Sequence, residues 1–322
     1  MRFNNSILVV AGEPNSIFIE IFIKSLNKTK FKNPLILIAS YKLMKLQMKK
    51  LNLRKKIKIL NYSNLLNYKL NNNCINLINV DYNQINGFEK ITNKSQKYIK
   101  ECFEIAFKII KKNKLKKFIN GPISKKNFLN KNFLGMTEYI SKEFKITNSA
   151  MLIYNKELAV CPITTHLPLK AVAKTINKKL IIDKVKVINK FYNIKLYKKP
   201  KIGVLGLNPH CESIDKFNED EKIIKPAIKF LKNKKYNISG PYPADTIFMK
   251  KNRKKFDVIV GMYHDQVLTP FKTLFGFEAV NITLGLPYLR LSPDHGIASD
   301  KKKLNLSNPL SLNQCIFTIS RL

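Results

Sequence analysis

Apolar and polar positions alternate between two rhythms along this chain, and the alternation predicts its elements. Ser6 to Gly12 (SILVVAG) is a continuous apolar run, the pattern of a parallel strand buried on both faces. GEPNS breaks the run, and Ile17 to Leu26 returns with helical spacing. Pro34 to Ser40 predicts a second strand, followed by a helix over Tyr41 to Leu51. Ile57 to Asn61 and Ile75 to Val80 predict further strands, Gln96 to Lys112 a long amphipathic helix, and Phe118 to Gly121 a strand ending in GPISKK.

The character shifts near Gly135. Met136 to Phe144 reads as a short helix, and Ala150 to Thr165 as two strands around a turn at Asn155 and Lys156. Leu169 to Phe191 reads as one helix. Lys201 to Leu207 predicts a strand opening into NPHCES, Glu219 to Leu231 a helix, and Phe256 to Met262 a strand opening into YHDQ. Glu278 to Leu284 adds a strand, and Asn308 to Ile319 a final helix. Strands alternating with helices predict an α/β fold with a largely parallel sheet, in two lobes, the second starting near residue 136.

Composition changes this picture little. Hydrophobic residues make up 45% of the 322, enough for a sizeable core rather than disorder. No apolar run reaches the length of a membrane span, and the first apolar run is too short for a secretory signal. The expectation is a soluble cytoplasmic protein with no membrane partner. Five scattered cysteines without CxxC spacing are read as reduced thiols. The formal charge of +38 invites a nucleic-acid reading. Against it, the lysines are spread along the whole chain in KK and KN pairs, with no basic stripe interleaved with aromatics. Compositional drift accounts for the charge better than a specific nucleic-acid partner, although the field attracts anionic small ligands.

Chemistry concentrates elsewhere. From Gly261 to Gly296, Lys, Asn and Ile thin out while Gly, His, Asp and Pro gather. The chain has only four histidines. His166 (TTHLP), His210 (LNPH) and His264 (MYHDQ) follow predicted strands, and ligands of open α/β sheets bind at carboxyl ends of strands. Three imidazoles aimed at one point would leave a metal with an open coordination position. Asp245 in GPYPADT and Asp265 beside His264 are the carboxylates to bind a substrate amine, complete the metal shell or orient a histidine. Arg290 is the sole basic residue between Lys272 and Lys301, and arginine grips phosphate or carboxylate with two donors. GPISK at Gly121 and GMTE at Gly135 offer backbone amides and a hydroxyl for a phosphate. Neither GxGxxG nor GxxxxGK[ST] is present.

Taken together, GEP at Gly12, NGPISK at Asn120, GMTE at Gly135, TTHLPL at Thr164, GLNPH at Gly206, GPYPADT at Gly240, MYHDQ at Met262, NITLGLP at Asn281, Arg290 and DHG at Asp294 resemble the 4-hydroxythreonine-4-phosphate dehydrogenase family of vitamin B6 biosynthesis. The resemblance implies a homodimer of two-lobed α/β/α subunits, similar to the isocitrate and isopropylmalate dehydrogenases, with a shared active site in the interlobe cleft. It implies a cofactor-side lobe of residues 1–135 plus about 291–322, and a metal, substrate and dimer lobe of 136–290. It implies one divalent metal (Zn, Mg or Co) on His166, His210 and His264, with one ligand crossing from the partner subunit, and a phosphorylated hydroxy amino acid on Thr137, Lys272, Asn281 and Arg290. Asp245, Asp265 and Lys272 would serve catalysis or the second shell. NAD, or NADP, would meet His295 and Gly296. The implied reaction is NAD-dependent oxidation of 4-phosphohydroxy-L-threonine followed by decarboxylation to 3-amino-2-oxopropyl phosphate. A relative acting on another phosphorylated four-carbon hydroxy acid, and a basic non-catalytic nucleic-acid-binding protein, are the alternatives. The chain departs from the family where Met136 replaces a His, where the GEP loop continues NSIF rather than AGIG, and where Ile297 replaces a Thr.

Overall fold

A computed structural model of the chain describes residues 5–113, 115–129, 133, 135–214, 217–293, 296–298 and 305–322. The chain forms two compact units, Met1–Asn132 with Pro287–Leu322, and Phe133–Leu286.

The first unit opens with β1 (Ile7–Val10), α1 (Phe18–Lys28), β2 (Leu35–Ala39), α2 (Tyr41–Lys50), β3 (Ile57–Ile59), β4 (Ile75–Asn79), α3 (Ser95–Asn113), β5 (Lys117–Asn120) and α4 (Lys125–Phe128). The second unit carries α5 (Met136–Glu143), β6 (Ala150–Tyr154), β7 (Ala159–Pro162), α6 (Leu169–Thr175), α7 (Lys178–Lys195), β8 (Ile202–Leu205), α8 (Lys225–Asn233), β9 (Ile238–Tyr242), α9 (Ala244–Ile247), α10 (Lys250–Arg253), β10 (Val258–Gly261), α11 (His264–Phe275) and β11 (Val280–Leu284). The chain then returns to the first unit with β12 (Leu289–Pro293) and α12 (Leu310–Arg321).

In the first unit the strand order is β3-β4-β2-β1-β5-β12, and every pairing is parallel. Ile7 to Val10 and Leu35 to Ala39 are buried throughout, as continuous apolar strands covered on both faces should be. In the second unit the order is β11-β6-β7-β10-β8-β9. Its β11-β6-β7 side is antiparallel, and β7-β10-β8-β9 is parallel. Apolar side chains of β6, β7, β10 and α11, including Ile153, Val160, Ile259, Val267 and Phe271, form one buried cluster.

The predicted strands agree with these elements within a few residues, the short helices α4, α9 and α10 are unpredicted, and four further features depart. Leu169 to Phe191 is two helices, because the Asn177 side chain accepts the Leu180 amide at 2.9 Å and starts α7 afresh. β9 escapes the apolar pattern because Gly240 and Pro241 interrupt it, and a proline suits its place at the edge of the sheet. β12 escapes because Arg290 stands at its centre. His264 lies not in a loop but at the first position of α11, a helix that the reading missed and that tolerates Pro270.

Phe271 is fully buried at the middle of the second unit's core. Phe271→Ala is expected to lower stability by about 3–5 kcal/mol, read as a shifted urea midpoint by circular dichroism. An unshifted midpoint would contradict this placement of the core.

Candidate active site

The second unit gathers its histidines by strand register. β7 and β10 run parallel, with Pro162 opposite Gly261. The pairing continues past both strands: Ile163 N donates to Gly261 O at 2.8 Å, and Thr164 N and Oγ1 both donate to Met262 O at 3.1 and 2.7 Å. Two residues further along each chain stand His166 and His264, whose ring centroids are 5.6 Å apart with planes inclined by 38°. The sequence gives no local reason for this meeting, since the parallel ladder creates it.

His210 follows the neighbouring strand β8, which pairs with β10 on the side away from β7. The turn is a tight Pro209–Cys211 helix in which His210 and Cys211 take φ of 54° and 63°. Successive left-handed residues with side chains are strained by about 1–2 kcal/mol each. Asp220 holds the loop in place. It is fully buried, and its carboxylate accepts Leu207 N at 2.9 Å, Asn208 N at 3.1 Å and Asn208 Nδ2 at 3.0 Å. Gln266 ties this loop to the His264 loop, accepting Met262 N and donating to Gly206 O, both at 2.7 Å. Neither residue carries a signal in the sequence, because each acts on backbone atoms.

The carboxylates divide into three surroundings. Asp265 is exposed, and its Oδ1 lies 2.6 Å from His264 Nδ1. Asp245 is exposed in the first turn of α9 and reaches the His210 loop electrostatically. Burial pushes the Cys211 thiol up, helped by Asp220 and more weakly by Asp245. Glu138, in the first turn of α5, accepts the Thr165 hydroxyl at 3.1 Å. The sequence reading quoted GMTE without giving Glu138 a role.

Thr137 and Asn281 are brought to one face. The Thr137 and Thr283 hydroxyls lie 3.3 Å apart, and Asn281 shares Thr283's side of β11 by the two-residue strand period. Asn281 Oδ1 is buried without a hydrogen-bond partner. Met136, at the start of α5, is buried and packs as core rather than reaching into a polar site. Lys272 is not gathered with His264: it is exposed eight residues along α11, about 12 Å down the axis, near the Phe277 ring.

Two residues of the reading belong to the first unit. Arg290 is 2% exposed, and its Nε donates to Asn120 Oδ1 at 2.7 Å, so this guanidinium is seated inside the unit at the end of β5. Beside Asn120, Gly121 allows a backbone approach that a side chain would forbid, since a Cβ there would meet Ala11 O at 2.2 Å. The GEP loop is fastened against it, with Glu13 N donating to Pro122 O at 2.9 Å. The departure NSIF is used structurally: Asn15 exchanges hydrogen bonds with Gln84, and Ser16 Oγ donates to Glu13 O at 2.7 Å. Gly296 is exposed, whereas Asp294 and His295 lie outside the described residues.

As donors, His166, His264 and His210 fit a divalent metal in type and in their position on adjacent parallel strands. Among the described residues, no three His, Cys, Asp or Glu side chains form a ready metal cluster. Within one chain the structure thus brings His166 and His264 together and leaves His210 outside a three-residue group. Asp220→Ala, which deprives buried amides of their acceptor, is expected to destabilise the second unit by about 2–3 kcal/mol. Thermal denaturation checks this, and an unchanged midpoint would show that the carboxylate does not hold the loop.

The family model described as pyridoxal phosphate biosynthetic protein PdxA matches residues 30–319. The chain is 37% identical over 317 residues to a 4-hydroxythreonine-4-phosphate dehydrogenase of Sulfurihydrogenibium sp. (strain YO3AOP1), covering 96% of this chain and 95% of that one. A crystal structure of 4-hydroxythreonine-4-phosphate dehydrogenase from Klebsiella pneumoniae superposes with a TM-score of 0.85 at 26% identity, covering 99% of this chain and 98% of that one. Isocitrate dehydrogenase from Methylococcus capsulatus shares the fold, with a TM-score of 0.53 at 10% identity over 99% of this chain and 85% of that one. With the family model matched over most of its length, the chain belongs to the PdxA family, the 4-hydroxythreonine-4-phosphate dehydrogenases of vitamin B6 biosynthesis.

Proposed function

We propose that this chain oxidises 4-phosphohydroxy-L-threonine with NAD or NADP. The product is 2-amino-3-oxo-4-(phosphooxy)butanoate, which loses CO2 to give 3-amino-2-oxopropyl phosphate. The observation that carries the reading is the convergence of His166 and His264 at 5.6 Å beside the strand that leads to His210. These three histidines would hold one divalent metal. When bound, the metal supplies Lewis-acid polarisation of the substrate hydroxyl and of the ketone it becomes.

The chain's own groups do the rest. Asp265 beside His264 Nδ1 sets that ring's orientation. Asp245, exposed beside the His210 loop, takes the hydroxyl proton as the hydride leaves the same carbon for the nicotinamide. The alcohol thus loses two electrons and NAD gains them. Thr137 and Asn281 offer a hydroxyl and an unpartnered amide oxygen to the polar end of the substrate. Lys272 and Arg290 are retained as the cations for phosphate and carboxylate.

The reading includes a homodimer whose two copies share the site. No described helix is long and apolar enough to cross a membrane. We place the enzyme in the cytoplasm.

NADH formation from 4-phosphohydroxy-L-threonine tests the reading, with a four-carbon sugar-acid phosphate as the competing substrate. The phosphorylated amino acid is expected to be preferred, chelator to abolish turnover, and His210→Ala to lower kcat/KM by roughly 100-fold or more. Full, chelator-insensitive activity of His210→Ala would sink the metal reading, and preference for the sugar-acid phosphate would overturn the substrate.

A further inference from the structure

Glu138 is the carboxylate that the proposed reaction leaves unused, and its surroundings are specific. Oε1 accepts the Thr165 hydroxyl at 3.1 Å. Oε2 is buried without a hydrogen-bond partner. A Cβ built on Gly135 would stand 2.9 Å from Glu138 Oε2 and also 2.9 Å from His166 Nδ1. The carboxylate and the imidazole thus converge on one small volume, kept open by the absence of a side chain at residue 135. A buried carboxylate oxygen demands a donor, and an imidazole N–H is the donor this geometry brings towards it.

We propose that Glu138 is a positioning residue. Its Oε2 accepts the Nδ1–H of His166 and fixes the tautomer in which Nε2 keeps its lone pair. The arrangement parallels His264, whose Nδ1 lies 2.6 Å from Asp265 Oδ1. Each of the two neighbouring histidines then has its own carboxylate, one from α5 and one from α11. Glu138 touches neither substrate nor cofactor, and it acts through His166 alone. Its effect on metal binding rests on the reading of His166 as a ligand, whereas its effect on the tautomer does not.

The test separates the two. With four histidines in the chain, a long-range 1H–15N spectrum of metal-free, histidine-labelled protein resolves the rings, and His166→Gln assigns one of them. His166 is expected in the Nδ1–H form in the wild type and in Thr165→Val, and to lose that form in Glu138→Leu and Glu138→Ala, neither of which keeps an acceptor oxygen. Zinc affinity, measured by competition with a chromophoric chelator, is expected to fall about 10- to 100-fold in both Glu138 variants. Thr165→Val, which removes only the hydroxyl contact, is expected to stay within about threefold. An unchanged His166 tautomer in Glu138→Ala overturns the proposal. Wild-type protein that binds no zinc overturns the metal reading instead, and the spectrum still decides the role of Glu138.

Discussion

Parallel pairing of three adjacent strands is the constraint on which the site depends. β7, β10 and β8 are locked in register by buried apolar residues, and their carboxyl ends emerge side by side. Neighbouring strands lie about 4.8 Å apart. Residues a few steps beyond paired strands are thus brought near one another however distant they are in sequence, as His166 and His264 are. His166 and His264 are brought together in this way across 98 residues, the separation of Thr164 from Met262, where the ladder ends. The core's function at this end of the sheet is to fix that register, because a slip of one residue turns every side chain to the opposite face.

Register alone does not shape the loops. The His210 turn holds two successive left-handed residues, and Asp220 and Gln266 hold it through backbone amides and a carbonyl. Strain at one point is thus offset by charge-assisted hydrogen bonds next to it. On the other side, the absent side chain of Gly135 leaves the space that Glu138 and His166 both face. The first unit solves a similar problem with Gly121 and the GEP loop, whose Asn15 and Ser16 are tied into local hydrogen bonds. The departures from the family pattern at Asn15, Ser16 and Met136 are accommodated by packing and hydrogen bonds rather than left as defects.

Much of the fold was legible in the sequence because buried parallel strands are written as unbroken apolar runs. β1, β2 and β10 are plain in ILVV, LILIA and VIVG. β9 and β12 were not, since Gly240 with Pro241 and a buried Arg290 break the pattern that periodicity reads. α11 was hidden by Pro270 and by the motif at its start. Of the site, the histidines were legible from their scarcity and from their places after predicted strands. Asp220, Gln266, Thr283 and Glu138 were not legible, because their roles depend on non-local partners. Arg290 illustrates the limit: its isolation in sequence marked it as special, and the structure seats it inside the first unit on Asn120.

The proposal that most needs a test is that His166, His210 and His264 together hold one metal. X-ray absorption at the zinc edge of the reconstituted protein tests it most directly. Nitrogen or oxygen neighbours are expected at about 2.0–2.1 Å, with outer-shell scattering from three imidazole rings that drops to two in His210→Ala. A zinc shell with fewer than three imidazoles in the wild type, or one unaffected by loss of His210, would contradict it.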